Sequence, residues 1–182
     1  MNYANIKYRD IADGEGVRTT LFVSGCSHHC ENCFQPETWS FSHGQEFTTD
    51  IADEVLATLD DFFVDGLTFL GGEPMEPENQ HGLLQLAKRA KALHPEKSIW
   101  CYTGDIYEDL VDAASPRHTE ETDELLGLID VLVDGPYIDS LHDITLRFRG
   151  SSNQRVIDMN ETRKTGEVVL WKDEEVYSTH SM

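Results

Sequence analysis

Residues 19–34 read TTLFVSGCSHHCENCF, and this stretch decides both the fold and the chemistry expected of the chain. The segment 19–23 is rich in β-branched and aromatic residues, which favours a buried strand. It runs directly into a loop that contains Cys26, Cys30 and Cys33. Because ligands bind at the carboxyl ends of strands in parallel α/β architectures, this loop is predicted to form a ligand site.

Three thiolates from one short loop are ligands for either zinc or an iron–sulfur cluster. A structural zinc site closes with a fourth Cys or His, and His28 and His29 lie between the cysteines. A tetrahedral site built from one short loop would be cramped, and it would give no role to the glycines further along the chain. We therefore favour a 4Fe-4S cluster with three cysteine ligands and one open iron. Zinc and free thiols are the alternatives, and the histidines are interpreted as ordinary loop residues.

The rest of the chain alternates between helix and strand patterns, which is typical of an α/β domain with a parallel sheet. The predicted elements after the cysteine loop are a helix over 50–62, a strand over 67–70, a helix over 83–93, a strand over 98–102, helices near 107–113 and over 120–128, and a strand over 129–133. Thr49 or Asp50 is the expected N-cap of the first helix. Weaker patterns at 156–159 and 168–171, joined by a polar turn with Gly166, predict a hairpin followed by a frayed tail.

A second motif, Gly71-Gly72-Glu73-Pro74, directly follows the predicted strand at 67–70. Glycines there allow a ligand to approach the backbone closely, and Glu73 adds an acceptor for an ammonium group. Alone this tetrapeptide is a weak signal, because turns from strand to helix often contain glycine and proline. Beside a cluster with an open iron, it describes a site where S-adenosylmethionine chelates iron through its amino and carboxylate groups.

With these two motifs the chain resembles the radical S-adenosylmethionine superfamily and, more narrowly, the activating proteins of anaerobic (class III) ribonucleoside-triphosphate reductases. The segments that carry the resemblance are DGEGVRTTLFVSGCSHHCENCF (13–34), FLGGEP (69–74), IWCYTG (99–104), DVLVDGPY (130–137) and RGSSNQ (149–154). The superfamily's commonest pattern has an aromatic residue just before the third cysteine, where this chain has Asn32. Here Phe34 follows the cysteine instead, an offset similar to that of the reductase-activating proteins.

The resemblance implies a role for each matching residue of the cysteine loop. Cys26, Cys30 and Cys33 are expected to hold a 4Fe-4S cluster and to be the catalytic residues. The segment from Asn32 through Cys33 to Phe34 is expected to line the adenine side of bound S-adenosylmethionine.

It also implies that the later loops complete the S-adenosylmethionine site. Gly72, with Gly71 and Glu73 beside it, is expected to receive the amino group of the methionyl part. Thr103 and Asp134 are expected to face the rest of the ligand or an incoming glycine loop, although a role as a strand-end cap is nearly as good an interpretation of Asp134. Cys101, inside the apolar segment IWCY, is interpreted instead as a buried small hydrophobe.

The implied activity is reductive cleavage of S-adenosylmethionine, followed by formation of a glycyl radical on the large subunit of the anaerobic reductase. A one-electron donor such as flavodoxin is the expected second partner. At about 30 residues per strand–helix unit, the 182 residues provide five or six units. We therefore expect a single domain over 1–182, an open partial (β/α) barrel, with 156–182 as a C-terminal hairpin and tail.

Three other functions share part of this pattern. A small radical enzyme that acts on a metabolite would share the cysteines and the glycine loop, but Phe34 and RGSSNQ disfavour it. An iron–sulfur electron carrier would not need Gly-Gly-Glu-Pro. A zinc-stabilised binding module is the third alternative.

Charge and hydropathy narrow the choice of partners. The net charge of −20 disfavours nucleic acid, because phosphates are bound through Lys and Arg. The acidic segments serve either solvation, adaptation to salt, or steering of a basic partner. No stretch is apolar enough to span a bilayer and residues 1–10 lack the features of a signal peptide, so we expect no membrane partner and a cytoplasmic location.

Overall fold

The computed structural model describes residues 1–172 of the chain, and the tail predicted for the last ten residues lies outside this range. Over these 172 residues the architecture is α/β, as predicted, with one sheet of seven strands in the order β3-β1-β2-β4-β5-β6-β7. The strands are β1 (Asn2–Asp10), β2 (Arg18–Val23), β3 (Gln45–Glu46), β4 (Gly66–Gly71), β5 (Ser98–Tyr102), β6 (Val131–Asp134) and β7 (Arg155–Asp158). The helices are α1 (Thr49–Ala57), α2 (Pro77–Leu93), α3 (Tyr107–Val111), α4 (Thr122–Leu128) and α5 (Met159–Thr165). Within the described range, no helix is both long and apolar enough to cross a lipid bilayer.

The sheet is mixed and open, so the expectation of a parallel sheet is only partly right. Its centre, β2-β4-β5-β6, is parallel, and each connection between successive strands of this centre contains a helix. Both edges are antiparallel: β1 pairs in this way with β2 and β3, and β7 pairs in this way with β6. The reason is that residues 11–17, between β1 and β2, and 135–154, between β6 and β7, contain no α-helix that could return the chain for parallel pairing.

Sequence reasoning missed β1 and misplaced the ends of α1. In β1 only Tyr3 and Asp10 are buried, so the strand lacks the alternation by which strands are recognised. Helix α1 begins after Thr48, whose hydroxyl accepts the Ile51 N–H at 3.4 Å, and it ends before Phe62, which is 95% exposed.

The two faces of the sheet are covered differently because side chains alternate along each strand. Leu67 and Phe69 of β4 pack into the main core with the helices. Thr68 points the other way and is also buried, and on this second face Trp100 and Val133 form a smaller aromatic and aliphatic cluster.

Arg18 is buried on the second face at the amino end of the parallel strands. Its guanidinium donates hydrogen bonds to Thr68 Oγ1 (2.7 Å), Leu67 O (2.6 Å), Ser98 O and Oγ (2.9 and 3.0 Å) and Glu15 O (3.0 Å). All of these acceptors are neutral, and burial lowers the pKa of Arg18 to about 10. This arginine is therefore an internal part of the sheet and not a surface charge, and the amino end of the parallel strands where it lies is called the floor below.

The predicted C-terminal hairpin is correct in its pairing and wrong in its connection. Asp158 N–H donates to Val169 O and Trp171 N–H donates to Val156 O, both at 2.9 Å. The two segments are joined by α5 instead of a polar turn, because Asp158 caps the start of this helix and Gly166, at φ 75°, ends it.

Candidate functional site

A cavity of about 520 Å³ opens at the carboxyl ends of the parallel strands. Eight of the expected site residues line it, namely Cys26, Cys30, Asn32, Cys33, Phe34, Gly72, Glu73 and Thr103. Gly71 and Asp134 are not among the lining residues. The cysteine loop, the Gly-Gly-Glu-Pro loop and the end of β5 therefore meet at one site.

The cysteine loop is fixed to the segment that follows it. Gly25 N–H donates to Thr38 O at 2.8 Å and Cys26 N–H donates to Trp39 O at 3.2 Å. A turn then brings Cys33 N–H to within 3.2 Å of Cys30 O. The backbone thus determines where each of the three thiols lies.

None of the cysteines of the chain forms a disulfide. Cys26 is buried and its pKa is raised to about 11 by that burial, while Cys30 and Cys33 are half-buried. Phe34, which is 75% exposed, stands beside them at the cavity mouth. Cys101 is fully buried in the main core, as predicted.

The spacing of the thiols tests which metal group fits them. Tetrahedral zinc with bonds of about 2.3 Å would need sulfur atoms roughly 3.8 Å apart. Among residues 1–172, the potential ligand atoms grouped within 4.8 Å of one another are those of His28, Glu73 and Asp105, and the cysteine sulfurs form no such group. Three free thiols that line one cavity without converging on a common point fit a larger cluster better than a single ion.

The two glycines of Gly-Gly-Glu-Pro are required by contacts between backbones. At Gly71, φ is +110° and a Cβ atom would lie 2.6 Å from the N and O atoms of Val23. At Gly72 a Cβ atom would lie 2.6 Å from Gly25 O and 3.0 Å from Thr38 O. These glycines therefore allow the end of β4 to pack directly against the start of the cysteine loop.

Glu73 is buried, and its carboxylate is already engaged by the chain. It accepts hydrogen bonds from Met75 N–H at 2.8 Å and Gly104 N–H at 2.7 Å. His28 Nε2 lies 3.1 Å from Glu73 Oε2 and 3.3 Å from Asp105 Oδ2. Hydrogen bonds to Asp105 and Glu73 raise the pKa of His28 to about 10, so this histidine is an ion-pair partner and not an ordinary loop residue.

Thr103 and Asp134 differ in their relation to the cavity. Thr103 lines it, and its hydroxyl accepts the Asp105 N–H at 3.1 Å. Asp134 is buried behind it, where it accepts hydrogen bonds from Tyr107 N–H at 2.8 Å and Arg155 Nε at 2.9 Å. Asp134 thus occupies the position of a strand-end cap, the alternative interpretation of this residue.

Sequence reasoning missed the acidic pair of Asp10 and Asp13, of which Asp13 lines the cavity. Lys7 Nζ lies 2.8 Å from Asp10 Oδ1 and 3.9 Å from Asp13 Oδ2. Burial and a hydrogen bond with Asp10 raise the pKa of Asp13 to about 7. Although burial alone would raise it, hydrogen bonds from Asp13 and Lys7 hold the pKa of Asp10 well below its usual range. The pair therefore holds one proton up to about neutral pH.

Three residues of the RGSSNQ segment, Arg149, Gly150 and Gln154, also line the cavity. Gln154 Oε1 accepts the N–H groups of Gly150 at 2.9 Å and Ser151 at 3.1 Å, and its Nε2 donates to Gly135 O at 3.0 Å.

Comparison with known proteins identifies the family. The family model described as a 4Fe-4S single cluster domain matches residues 12–157, which include every residue lining the cavity. Curated relatives called anaerobic ribonucleoside-triphosphate reductase-activating protein occur in Vibrio cholerae (42% identical over 156 residues, 85% of this chain and 96% of the relative) and Escherichia coli K12 (39% over 158 residues, 86% and 97%). The relative of the same name from Enterobacteria phage T4 is 38% identical over 156 residues, which are 86% of this chain and 93% of the relative.

The chain belongs to this family of reductase-activating proteins. The narrower resemblance seen in the sequence is thereby confirmed. The family match also agrees with the chemistry of the three free thiols, since its description is that of a domain with one 4Fe-4S cluster.

Proposed function

We propose that this member of the family is a radical S-adenosylmethionine enzyme that generates a glycyl radical on the large subunit of anaerobic ribonucleoside-triphosphate reductase. One observation carries the proposal: three free cysteines, Gly72 and Glu73 line the same cavity. The names of the relatives in Vibrio cholerae and Escherichia coli support the choice of protein partner.

Cys26, Cys30 and Cys33 are the proposed ligands of the cluster, and they leave one iron open to S-adenosylmethionine. Reduced by an external one-electron donor such as flavodoxin, the cluster would supply the electron that cleaves the S–C5′ bond, giving methionine and a 5′-deoxyadenosyl radical that takes a hydrogen atom from a glycine Cα. The chain itself contributes binding and orientation.

The cavity offers matching surfaces for the parts of S-adenosylmethionine. The backbone of Gly72, with the carboxylate of Glu73 beside it, suits the amino group of the methionyl part. Asn32 and Phe34 suit the adenine, and Thr103 suits the remainder of the ligand. Asp134 and Gly71 act behind this surface, because their contacts are with the protein.

The open sheet supports access for a protein loop. We infer a partial barrel of the radical S-adenosylmethionine type, in which the gap left by the missing strands admits the glycine loop of the reductase.

Anaerobic reconstitution followed by electron paramagnetic resonance tests this proposal. We expect the signal of a reduced 4Fe-4S cluster, and we expect its shape to change when S-adenosylmethionine is added. Alanine substitution of Cys26, Cys30 or Cys33 should abolish cleavage of S-adenosylmethionine, whereas the matched control Cys101→Ala should retain it. A chain that takes up zinc and no iron would refute the proposal.

The partner is tested separately. Incubation with the large reductase subunit, a reductant and S-adenosylmethionine should produce a glycyl radical signal on that subunit, and omission of the activating protein should abolish it. Cleavage of S-adenosylmethionine without any radical on the subunit would favour an enzyme that acts on a small metabolite.

A further inference from the structure

Arg117, in the loop between α3 and α4, is the only lysine or arginine between Gly104 and Asp143. Its side chain is only 13% exposed and crosses the carboxyl end of the sheet to the cysteine loop. Its Nη1 pairs with the Glu76 carboxylate, its Nε lies 3.0 Å from Asp105 Oδ2, and its Nη2 donates to Ser27 Oγ at 2.9 Å. One guanidinium therefore joins the loops that follow three adjacent parallel strands.

Ser27, between the first two cysteines, is held from two sides. Its hydroxyl accepts the hydrogen bond from Arg117, and its N–H donates to Glu76 Oε1 at 2.6 Å. Because Glu76 also pairs with Arg117, the three residues form a closed set of contacts. This set fixes the path of the chain between Cys26 and Cys30.

The carboxylates at the carboxyl ends of the parallel strands need a positive charge beside them. Glu73 and Glu76 are buried and Asp105 is largely shielded, and uncompensated carboxylates in such positions are costly. Among residues 1–172, the ion pairs of these three acids are made with His28 and Arg117. Three thiolates nearby would add further negative charge.

A bound metal ion is the other possible source of positive charge here. The ligand atoms of His28, Glu73 and Asp105 lie within 4.8 Å of one another. However, Arg117 Nε already lies 3.0 Å from the same Asp105 oxygen that faces His28. The guanidinium of Arg117 therefore occupies the position in which a metal ion would bind.

The position of Arg117 is itself built into the core. The buried side chain of Gln80 in α2 donates to Arg117 O and to Met75 O, both at 2.8 Å. Its Oε1 accepts hydrogen bonds from the hydroxyls of Thr119 and Thr122, both at 2.7 Å. The arginine therefore approaches the cysteine loop from a rigid support, as positioning groups behind a ligand shell commonly do.

We propose that Arg117 is a positioning residue for the cluster ligands: it keeps the chain between Cys26 and Cys30 in its ligand-binding path and supplies positive charge beside it. The role of the positive charge rests on the proposed function, because it requires the cluster. The role in holding the loop between Cys26 and Cys30 does not, because it concerns the chain without its cluster.

Hydrogen–deuterium exchange of the metal-free full-length chain tests the loop. In Arg117→Met, amides of residues 24–33 should exchange about tenfold faster, the factor that corresponds to the loss of one hydrogen bond to a charged group. Arg117→Lys, which keeps the charge but not the fork of donors, should give an intermediate rate. Arg89→Met is the matched control, because Arg89 is exposed on α2 and pairs with Asp53 of α1. Its exchange at 24–33 should equal that of the wild type.

The midpoint potential of the reconstituted cluster tests the charge. Arg117→Met should shift the potential to more negative values, because a nearby cation stabilises the cluster after it gains an electron. Glu76→Gln breaks the same ion pair but removes a negative charge, so it should shift the potential to more positive values. A role in structure alone would move both variants in the same direction.

The outcomes separate this inference from the proposed function. Unchanged amide exchange together with an unchanged midpoint potential in Arg117→Met would overturn the inference. A wild-type chain that takes up no cluster would instead refute the proposed function, and the amide exchange of the metal-free chain would still test the role of Arg117 in the loop. If Arg117→Met does not fold, Arg117→Lys decides: a folded lysine variant with wild-type exchange and wild-type potential would equally overturn the inference.

Discussion

Two arginines, Arg18 (buried) and Arg117 (half-buried), lie at opposite ends of the parallel strands, and their surroundings differ. Arg18, at the floor, donates to neutral acceptors such as Thr68 and the carbonyl of Leu67, all within or beside the sheet. Arg117, at the loop end, pairs with the carboxylates of Glu76 and Asp105. The floor is therefore part of the framework of the fold, whereas the loop end is a set of charged contacts between segments that the framework brings together.

Removing the floor arginine should have the largest effect on stability. Arg18→Met leaves several buried acceptors without a partner, so the free energy of unfolding should fall by about 3 kcal/mol. Urea unfolding of the metal-free chain measures this loss. Arg89→Met, which removes an exposed ion pair, should change stability by no more than about 0.5 kcal/mol. Equal losses of stability in Arg18→Met and Arg89→Met would show that Arg18 is not part of the framework of the fold.

Gly72→Ala tests whether the loop end also contains a rigid part. The new Cβ would overlap the backbone of the cysteine loop, 2.6 Å from Gly25 O, so we expect a loss of about 2 kcal/mol and impaired cluster uptake. Gly127→Ala is the matched control in α4, where a Cβ would meet nothing within 4 Å. That variant should gain up to about 1 kcal/mol from helix propensity. Unfolding curves and iron content report the two effects.

Cys101→Ala should destabilise the chain less than Arg18→Met or Gly72→Ala. Loss of one buried sulfur from the main core should cost about 1 kcal/mol and leave iron uptake unchanged. Cys30→Ala should show the opposite behaviour, with little change in the stability of the metal-free chain and loss of the cluster. If Cys101→Ala lost iron while its unfolding curve stayed normal, Cys101 would belong to the site.

The smallest expected change concerns the proton shared by Asp10 and Asp13. The carboxyl ¹³C resonance of Asp13 should titrate near pH 7. Because its folded pKa is raised, the stability that Asp13 contributes is complete below about pH 4 and is lost as the pH rises through 7. Lys7→Met should raise this pKa further, since the charge of Lys7 lowers it. An Asp13 titration near pH 4 in the wild type would show that the pair shares no proton.

Local signals explain what the sequence predicted. The cysteine loop and Gly-Gly-Glu-Pro are each contiguous, and the strand at Ser98–Tyr102 is apolar enough to be predicted to the residue. Contacts over long separations explain what it missed. The partner of Asp134 is Arg155, and the contacts of Arg117 include Ser27, and no short window of sequence contains either pair.

The exposed pattern of β1 accounts for a second kind of error. A strand with two buried residues resembles a polar terminal segment, and its direction follows from the loop at 11–17 rather than from its own residues. Similarly, the apolar spacing that included Phe62 in a helix could not reveal that this ring faces solvent.

The ends of the open sheet determine how the protein behaves among its own copies. A sheet that does not close leaves two strands with free hydrogen-bonding groups, and such edges can recruit further strands from other molecules. At one end the two-residue β3 covers Asn2 and Tyr3 of β1, and the rest of β1 carries charged side chains such as Lys7 and Arg9 and two irregularities in its pairing with β2. At the other end residues 169–171 pair with β7. Together with a net charge of −20, this protection should keep the chain from aggregating edge to edge during the cluster-free stage of its life.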